Sequence, residues 1–477
     1  MSVLAPPPLR PSQREDPELL IEEARTRQRR RRRAIAIVAG GAAIGVALGI
    51  AFTRSSSLPH IVRVSGGPTV NVAAFAGYGR LAFISRNALW VVAGGRLRKV
   101  DTPTGLHPLQ PQFSPDGKWL AFVATKTSAD RVAGGASEPS QIWLARGDGS
   151  GAHPVTGLGT AWLVGWSPTS DVLAAMSGPV STRVPFEALT TLRLAAPGRP
   201  TRILLRARDV RDAVWSPDGS QVAVETESPK LADTLASYPV AGGNRTIWSR
   251  WRGPTHIDIA GWWRGLGIGV WLFAGGGTRN LDETPLDAIA RPGAKPRRLA
   301  DTLSMQTTRV FASSNTNLAL VADISHGVNG GRVYWDAKQV QVCASTCKPL
   351  VVDRSKVTLD PAWSPNGSEL AFVEAPDRRQ GGWGQSVLTT WYGQHVLRIY
   401  DARTHRLRTI AAAHGATVPL WSANGKSLLY VATDGVWLLP SLAAKPVRIA
   451  TPLFTPARWP SYFGQMAWAQ QLAWRSP

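Results

Sequence analysis

Only a few residues of this chain have the types and spacing that chemistry requires. Three glutamates, Glu225, Glu227 and Glu374, stand at or just after the ends of apolar, strand-like runs. Carboxylates can serve as acids or bases at the rim of a site, and we expect these three to be exposed. No HExxH, GxSxG, P-loop or GxGxxG pattern accompanies them, and the eight histidines are scattered. The sequence therefore favours a protein that is not an enzyme and that has no cofactor and no metal site.

Aspartate recurs in a second pattern, Ser-Pro-Asp-Gly, where it could bind a metal or act as a base. Asp116 and Asp218 occupy the third position, but Asn366 and Asn424 stand there in sister copies. Because an Asx turn needs only a side-chain oxygen, asparagine can replace aspartate at that position. We therefore predict turns here. The run at residues 148–151, Asp-Gly-Ser-Gly, lacks the alternating acids of a calcium loop and predicts a hairpin turn.

The chain has two cysteines, Cys343 and Cys347, and three residues separate them between two strand-like runs. This spacing fits a hairpin whose ends face each other, near the Cα separation that a disulfide needs. Outside the cytoplasm the disulfide is the favoured state. With no further cysteine and no nearby histidine, the pair is a poor zinc site.

Two insertions between strand-like runs, residues 228–244 and 375–394, are candidate binding loops. Loops on a rigid scaffold commonly carry function. The alternative is that the aromatic side chains of the second loop fold back on the scaffold, and the sequence leaves both readings open. The second loop combines residue types that commonly anchor interfaces, namely Arg378, Arg379, Trp383, Trp391 and Tyr392.

The elements that position these residues belong to a repeated strand–turn–strand unit. Its clearest copy is PQFSPDGKWLAFVA from Pro111, and related copies begin at Val164, Ala213, Pro361 and Pro419. Two further strand-like runs complete each unit with no helix between, which is the pattern of a β-propeller. A marker aromatic recurs about every 50 residues, within the range of propeller blades, at Phe113, Trp166, Trp215, Trp263, Phe311, Trp363, Trp421 and Trp468.

This unit resembles the TolB-type β-propeller repeat. Residues 215–219, Trp-Ser-Pro-Asp-Gly, and residues 148–151 carry the resemblance most closely, and the similarity extends over residues 70–477. The resemblance implies an all-β propeller fold. Similar propellers also occur in front of hydrolase domains in the prolyl oligopeptidase family. Because the repeats continue to the last residues of this chain, we expect no hydrolase domain after the propeller.

The number of blades and the closure of the ring follow from the markers. Counting from residue 75 gives eight blades; seven remain if one degenerate unit is an insertion, and six would match TolB. We expect the final motif, from Gln465, to add a strand to the blade that begins at Val72. The marker aromatics are expected to wedge between neighbouring blades.

The N-terminal part predicts a membrane anchor. Residues 34–53 carry no charge, and 20 helical residues span about 30 Å, the thickness of the hydrocarbon core. Seven arginines among the nine residues before this segment, against Arg54 after it, place the N-terminus in the cytoplasm. The long charged region and the missing A-x-A site favour an uncleaved signal anchor over a signal peptide. We predict a cytoplasmic tail at 1–33, a linker at 54–69 and a propeller outside the cytoplasm at 70–477.

The net charge of +22 bears on the partner. Residues 1–33 hold nine arginines and five acids, which leaves 45 basic and 27 acidic residues in the rest of the chain. An arginine-rich soluble surface explains this excess, as does attraction to an anionic polymer or lipid. We predict a non-enzymatic scaffold for envelope proteins or cell-wall components. The alternatives are a charge-driven binder of anionic wall polymer or lipid, and an enzyme with an active site in the funnel. No nucleic-acid partner is expected.

Overall fold

The structure is a computed structural model. It describes residues 61–126, 139–180, 189–227, 233–252, 256–273, 286–300, 309–312, 318–323, 338–343, 347–351, 353, 355–377, 385–453 and 471–477. The predicted tail, the predicted membrane helix and the first seven residues of the predicted linker lie outside the described residues, because the description begins at residue 61. Within the described part, no helix has the length and apolar character needed to cross a membrane.

The described strands form eight antiparallel sheets, so the prediction of an eight-bladed all-β propeller is confirmed. Blade 1 contains β3 (Arg80–Ser85), β4 (Ala88–Ala93), β5 (Arg96–Lys99) and the last strand, β34 (Leu472–Arg475). Blades 2 and 3 contain β6 (His107–Phe113), β7 (Trp119–Thr125), β8 (Ser140–Arg146), β9 (His153–Pro154), β10 (Thr160–Trp166), β11 (Leu173–Gly178), β12 (Thr191–Ala195) and β13 (Arg202–Arg206).

The next three blades repeat the four-stranded order. Blade 4 contains β14 (Val210–Trp215), β15 (Gln221–Glu227), β16 (Asp233–Pro239) and β17 (Thr246–Trp251). Blades 5 and 6 contain β18 (His256–Trp263), β19 (Gly267–Phe273), β20 (Leu286–Ile289), β21 (Arg297–Ala300), β22 (Arg309–Ala312), β23 (Leu318–Asp323), β24 (Lys338–Cys343) and β25 (Cys347–Pro349).

Blades 7 and 8 complete the series. They contain β26 (Lys356–Trp363), β27 (Glu369–Pro376), β28 (Val396–Asp401), β29 (Arg406–His414), β30 (Thr417–Trp421), β31 (Leu428–Ala432), β32 (Gly435–Leu439) and β33 (Val447–Thr451). One helix, α1 (Gln385–Gly393), lies between β27 and β28. The first described strands, β1 (Val62–Arg63) and β2 (Thr69–Val70), form a hairpin.

Both ends of the described chain take part in ring closure. β34 pairs with β3 from Arg80↔Arg475 to Phe83↔Leu472, so the predicted contribution of the C-terminal motif to the first blade is confirmed. At the other end, β2 pairs with β33 through Thr69↔Thr451. The hairpin β1–β2 thereby extends blade 8 to six strands. The sequence did not indicate this second attachment.

Three Ser-Pro-Asp/Asn-Gly segments and the related Ser-Ala-Asn-Gly segment at residues 422–425 form the predicted Asx turns between the first and second strands. In each, the serine hydroxyl donates to the side-chain oxygen two residues later, whether that residue is Asp or Asn. The Oγ–Oδ1 distances are 2.7 Å for Ser114–Asp116, 2.6 Å for Ser216–Asp218, 2.8 Å for Ser364–Asn366 and 2.8 Å for Ser422–Asn424. Because Asp and Asn accept the same hydrogen bond at this position, the side chain there serves to form the turn.

The marker aromatics join neighbouring blades. In three blades the indole Nε1 donates to the carbonyl that precedes the marker of the previous blade: Trp166 to Gln112 (3.0 Å), Trp215 to Gly165 (2.9 Å) and Trp421 to Ala362 (2.9 Å). Trp468 lies outside the described residues. Trp474 on β34 donates instead to the carbonyl of Tyr78, which lies just before β3 (2.8 Å). Apolar clusters fill the space between blades, so the markers act in packing.

Part of the first predicted insertion, residues 228–244, is regular structure. β16 occupies Asp233–Pro239 and pairs with β15 and β17, so these residues are the third strand of blade 4. The interpretation of the whole segment as a loop was wrong. Its DTLASY run alternates too weakly in polarity to be read as a strand, yet it buries Leu235, Ala236 and Tyr238.

Candidate functional site

The candidate binding loop is described only in part. Arg378, Arg379 and Trp383 lie outside the described residues. Trp391 and Tyr392, on α1, are 3% and 2% exposed and pack in the core. The Trp391 indole donates to the carbonyl of Pro376 (2.8 Å), and its ring centroid lies 4.4 Å from that of His395. For these two aromatics the fold-back alternative describes the structure, because a helix caps the core here.

The two cysteines lie opposite each other on β24 and β25, where Cys343 is the register partner of Cys347. A disulfide joins them, with the Cα atoms 4.0 Å apart. It closes the outer hairpin of blade 6.

The expectation that the three glutamates are exposed is wrong. Glu225 is 1% exposed and Glu374 is 6% exposed. Glu227 is half-buried as a residue, and its side chain is only 6% exposed. The reason is that β15 and β27 extend to the ends of their sheets, so residues assigned to a loop are still covered by the neighbouring strands.

Glu374 is compensated by two cations. Its Oε1 accepts from Lys356 Nζ at 2.8 Å, and its Oε2 accepts from Arg398 at 3.0 Å. Both oxygens of this buried carboxylate therefore have a cationic partner, as a buried charge requires. Glu374 is therefore a structural residue of blade 7.

Glu225, unlike Glu374, has other acids as its neighbours. We name Asp212, Glu225, Asp233 and Asp258 the carboxylate cluster. Asp212 on β14 is the register partner of Glu225 in blade 4. Asp233 opens the next strand, β16, and its Oδ2 accepts from the amide of Ile257 in blade 5 (3.0 Å). Asp258 stands on β18, one residue after Ile257. The cluster thus lies at the junction of blades 4 and 5, above the apolar contact that includes Leu235, Ile257 and Ile259.

Burial and mutual repulsion dominate the electrostatics of the cluster. Burial, together with the charge of Asp258, raises the pKa of Asp212 to about 7. The pKa of Glu225 is raised well above its ordinary value, first by burial and then by Asp258, Asp212 and Asp233. Arg211 is the attractive charge acting on Glu225, and it is already bound to Asp209 (3.1 Å) and to Glu227.

One oxygen of the cluster is left without a donor. Glu225 Oε2 is buried and has no hydrogen-bond partner among the described residues. Asp212 accepts from the amide of Ala213 (2.7 Å) and stays partly accessible. In the described part of the chain, no three His, Cys, Asp or Glu side chains converge in a way that could hold a metal ion.

The cluster occupies a position that the repeat pattern could have indicated. Asp212 stands three residues before the marker Trp215, and Asp360 stands three residues before the marker Trp363. The first strand bulges there in both blades. Burial raises the pKa of Asp360 to about 7 as well, although the amide of Val418 donates to it (3.2 Å). An acid at the same repeat position in two blades is the sequence signal that marks this position.

A second feature is the distribution of positive charge. The fourth strand, which is the outermost one in every blade except blade 8, carries arginine or lysine in seven of the eight blades. It carries no aspartate or glutamate in any of them. We name these side chains the basic rim. All of them are exposed: Arg96, Arg98, Lys99, Arg202, Arg206, Arg250, Arg297, Arg298, Lys348, Arg406, Arg408 and Arg448. In blade 8, the outermost strand is β1 of the added hairpin, and it ends at a further exposed arginine, Arg63.

Few of the rim charges are neutralised. Four form ion pairs, with Asp148, Asp287, Glu369 and Asp434. The other eight have no ion pair within the described part of the chain: Arg96, Lys99, Arg202, Arg206, Arg250, Arg297, Lys348 and Arg406. The charge excess of the folded part is therefore available at the circumference of the ring.

Comparison with known proteins does not assign this chain to a family. No family model matches this chain, and no curated protein matches it. Solved structures similar in fold include the propeller domain of the Trilobed protease from Pyrococcus furiosus, with 10% identity over 74% of this chain and 100% of that one, at a TM-score of 0.43. A puromycin-hydrolyzing peptidase from Mycobacterium tuberculosis matches at 14% identity, covering 72% of this chain and 54% of that chain, at a TM-score of 0.42. An oligogalacturonate lyase from Vibrio parahaemolyticus matches at 10% identity, covering 78% and 84%, at a TM-score of 0.35. The similarity is one of architecture.

Proposed function

We propose that this protein is a membrane-tethered, extracytoplasmic binding scaffold whose basic rim holds an anionic polymer of the cell envelope. The observation that carries the proposal is the basic rim, with twelve exposed cations and no acid on the fourth strands. The TolB-type resemblance and the predicted anchor at residues 34–53 support the location outside the cytoplasm.

Protection of sheet edges does not explain the sign of the rim charge. Except in blade 8, where β2 pairs with β33, the fourth strands are edge strands. A charged side chain of either sign keeps such an edge from pairing with another sheet. A protective role alone would therefore allow acids among the bases. The uniform sign favours attraction to a partner that carries many negative charges.

A flexible polymer fits the rim better than a flat lipid surface. The bases are distributed over seven blades of a closed ring, and a plane touches only an arc of such a ring. A chain of phosphate or carboxylate groups can follow the curve and contact successive blades. Each exposed contact is weak on its own and screened by salt, so binding gains strength from their number.

The predicted tether is compatible with this geometry. The described chain enters the ring at β1, on the outer edge of blade 8. Seven residues lie between the end of the predicted membrane helix and residue 61, and an extended chain of that length reaches at most about 25 Å. The tether thus holds the rim close to the membrane, where wall polymers begin.

Binding of defined polyanions to the full-length protein in detergent tests the proposal. The probes are poly(glycerol phosphate) and polygalacturonate, titrated at several salt concentrations. The rim variant replaces four unpaired rim arginines with glutamine: Arg96, Arg206, Arg297 and Arg406. The matched control replaces four exposed bases on the turns: Arg199, Arg291, Arg403 and Lys426.

We expect the wild-type affinity to fall steeply with salt. By analogy with single-stranded polyanions, the slope of log affinity against log salt should decrease by about 0.7 for each rim contact that is lost. The turn variant should keep most of both affinity and slope. Equal losses in the two variants would mean that net charge, and not the rim, attracts the polymer. Vesicles with anionic lipid are the third probe, and stronger binding to them would favour the lipid alternative.

The enzyme alternative has one observation in its favour, the carboxylate cluster. A carboxyl with a pKa of about 7 beside another carboxylate is suited to general acid–base work. Turnover of a glycoside or polyuronide that is lost in Asp212→Asn and Glu225→Gln, and kept in Asp218→Asn, would establish this function. Absence of turnover over a panel of such substrates would leave binding as the role of the ring.

A further inference from the structure

Blade 1 has an opening where other blades have a closed turn. Its first strand, β34, and its second strand, β3, come from distant parts of the sequence, so no turn joins them. Trp474 pairs with Leu81 as the markers of other blades pair with the start of the second strand, and the next pair is Arg475 with Arg80. In five other blades this next pair is a serine whose amide donates to the carbonyl five residues later: Ser114–Trp119, Ser167–Val172, Ser216–Gln221, Ser364–Glu369 and Ser422–Ser427. Two arginines thus replace the residues that close a turn.

The charges of Arg80 and Arg475 have no compensation in the described structure. Both residues are half-buried, and as register partners their side chains leave the same face of the sheet side by side. Like charges directly opposite each other on paired strands are destabilising. Neither guanidinium has an ion pair or a hydrogen bond within the described part of the chain. An anion placed between them would remove the repulsion.

A cavity of about 310 Å³ opens beside the two arginines. Its wall includes Arg80, Arg475, Ser476 and Asp116. Ser476 is fixed to the turn of blade 8, because its Oγ accepts from the amide of Ala423 (2.5 Å). Small-molecule sites have volumes of about 300–1,000 Å³, so this cavity accommodates a ligand with about the size of one substituted sugar ring.

The turn of blade 2 holds the arginines in place without neutralising them. A Cβ at residue 117 would lie 2.8 Å from Arg80 Nη1 and 3.0 Å from Arg475 Cγ, so the glycine, with its φ of 70°, makes room for both side chains. The carboxylate of Asp116 is engaged in its own turn. Its Oδ1 accepts from the hydroxyl of Ser114 (2.7 Å) and from the amide of Lys118 (2.8 Å), and its Oδ2 pairs with Lys118 Nζ (2.9 Å).

We propose that this cavity, which we name the arginine pocket, binds the phosphate group of a small phosphate monoester such as a sugar phosphate. A guanidinium accepts two phosphate oxygens in a planar, bidentate contact. A phosphate monoester carries a charge of about −1.5 to −2 at pH 7, which matches two arginines, whereas a single carboxylate would leave one of them uncompensated. The phosphate oxygens take the place of the Asx oxygen that closes the turn in other blades, and the rest of the cavity receives the sugar.

This inference goes beyond the proposed rim function, since it concerns a small ligand at a different place in the ring. Isothermal titration of the full-length protein in detergent with glucose 6-phosphate, at low salt and pH 8, tests it. We expect binding that is weakened at least tenfold in Arg80→Gln and in Arg475→Gln, because each variant loses a charge-assisted contact. The matched control is Arg199→Gln, which removes an exposed positive charge from a turn of blade 3 and should bind as wild type does. Glucose, which lacks the phosphate, should not bind.

The Asp116→Asn variant provides a second readout that keeps both arginines. Asparagine forms the same turn in blades 7 and 8, through Asn366 and Asn424, so the fold should be retained. The variant removes the negative charge from the wall of the pocket, and the affinity for glucose 6-phosphate should increase severalfold. Asp218→Asn, the same change in the turn of blade 4, should leave the affinity unchanged.

The arginine pocket and the basic rim can be tested separately. The rim variant should bind glucose 6-phosphate as wild type does, and an excess of glucose 6-phosphate should not displace poly(glycerol phosphate) from the wild-type protein. Loss of the rim function would therefore leave the pocket intact, and the reverse also holds.

Four results would overturn the proposal. One is that glucose 6-phosphate does not bind to the wild-type protein at millimolar concentration. Another is that glucose binds as tightly, which would make the phosphate irrelevant. The third is that Arg199→Gln weakens binding as much as the pocket variants, which would assign the effect to net charge. The fourth is an unchanged affinity in Asp116→Asn, which would place the phosphate outside the arginine pocket.

Discussion

Replacing Asp212 by asparagine should stabilise the protein at neutral and alkaline pH. Asparagine keeps the shape of the side chain and the oxygen that accepts from the amide of Ala213. It removes the charge that burial and Asp258 disfavour. The folded protein raises the pKa of Asp212 from 3.8 to about 7, and each pKa unit corresponds to about 1.4 kcal/mol.

The sign follows from the raised pKa. Below about pH 4, Asp212 is protonated in both folded and unfolded states, and wild type and variant should be equally stable. As the pH rises towards 7, the unfolded state gives up its proton first, so wild type loses stability and the variant does not. The full shift amounts to about 4 kcal/mol, and water reaching the partly accessible carboxyl reduces it. We expect a gain of about 2–4 kcal/mol at pH 8.

Thermal unfolding of both proteins in detergent, followed by circular dichroism at pH 4, 6 and 8, measures this difference. The melting temperature of Asp212→Asn should exceed that of wild type by a few degrees at pH 8, and the difference should be small at pH 4. Asp218→Asn serves as the control. Turn hydrogen bonds from Ser216 and Ser220 lower the pKa of Asp218, so this variant should gain nothing at pH 8. Parallel pH profiles for wild type and Asp212→Asn would refute the reasoning.

Three further outcomes are expected. Glu374→Gln should cost about 3 kcal/mol of unfolding free energy at pH 7, because Lys356 and Arg398 lose a buried partner; an unchanged denaturation midpoint would contradict this. Burial lowers the pKa of His395 to about 3. As the pH falls from 6.5 the unfolded state takes up the proton first, so wild type should lose stability. His395→Phe, which gains no proton, should lose less stability over the same pH range when acid unfolding is measured. Trp215→Phe should lower the free energy of unfolding by about 2 kcal/mol, because it removes the hydrogen bond to the previous blade and leaves a gap. A denaturation midpoint equal to that of wild type would argue against this inter-blade role.

Much of the ring was predictable because the repeated motif contains the turn and the aromatic residue that set the geometry of a blade. Where the Ser-Pro-Asp-Gly turns occur they fix the end of the first strand, and markers such as Trp215 supply an inter-blade contact. The count of eight and the closing strand β34 followed from the spacing of those markers. These features are local in sequence, so a single chain is enough to read them.

The parts that escaped prediction depend on long-range pairing. The hairpin β1–β2 pairs with β33, although almost the whole chain separates them in sequence. No local pattern near Thr69 or Thr451 predicts this pairing. The burial of Glu225 arises because blade 5 covers the end of β15, which no local pattern records. Trp391 had the composition of an interface anchor but lies in the core, because residues 385–393 form a helix within a loop rich in glycine.

The most direct test of the proposed function is footprinting of arginine and lysine side chains by chemical modification, read by mass spectrometry, on the full-length protein with and without poly(glycerol phosphate). The proposal predicts protection of the unpaired rim residues Arg96, Arg206, Arg297 and Arg406 on bound protein, while Arg199, Arg291, Arg403 and Lys426 on the turns keep their reactivity. Bound polymer with equal protection of both sets, or with protection of the turns alone, would contradict the basic rim as the binding surface.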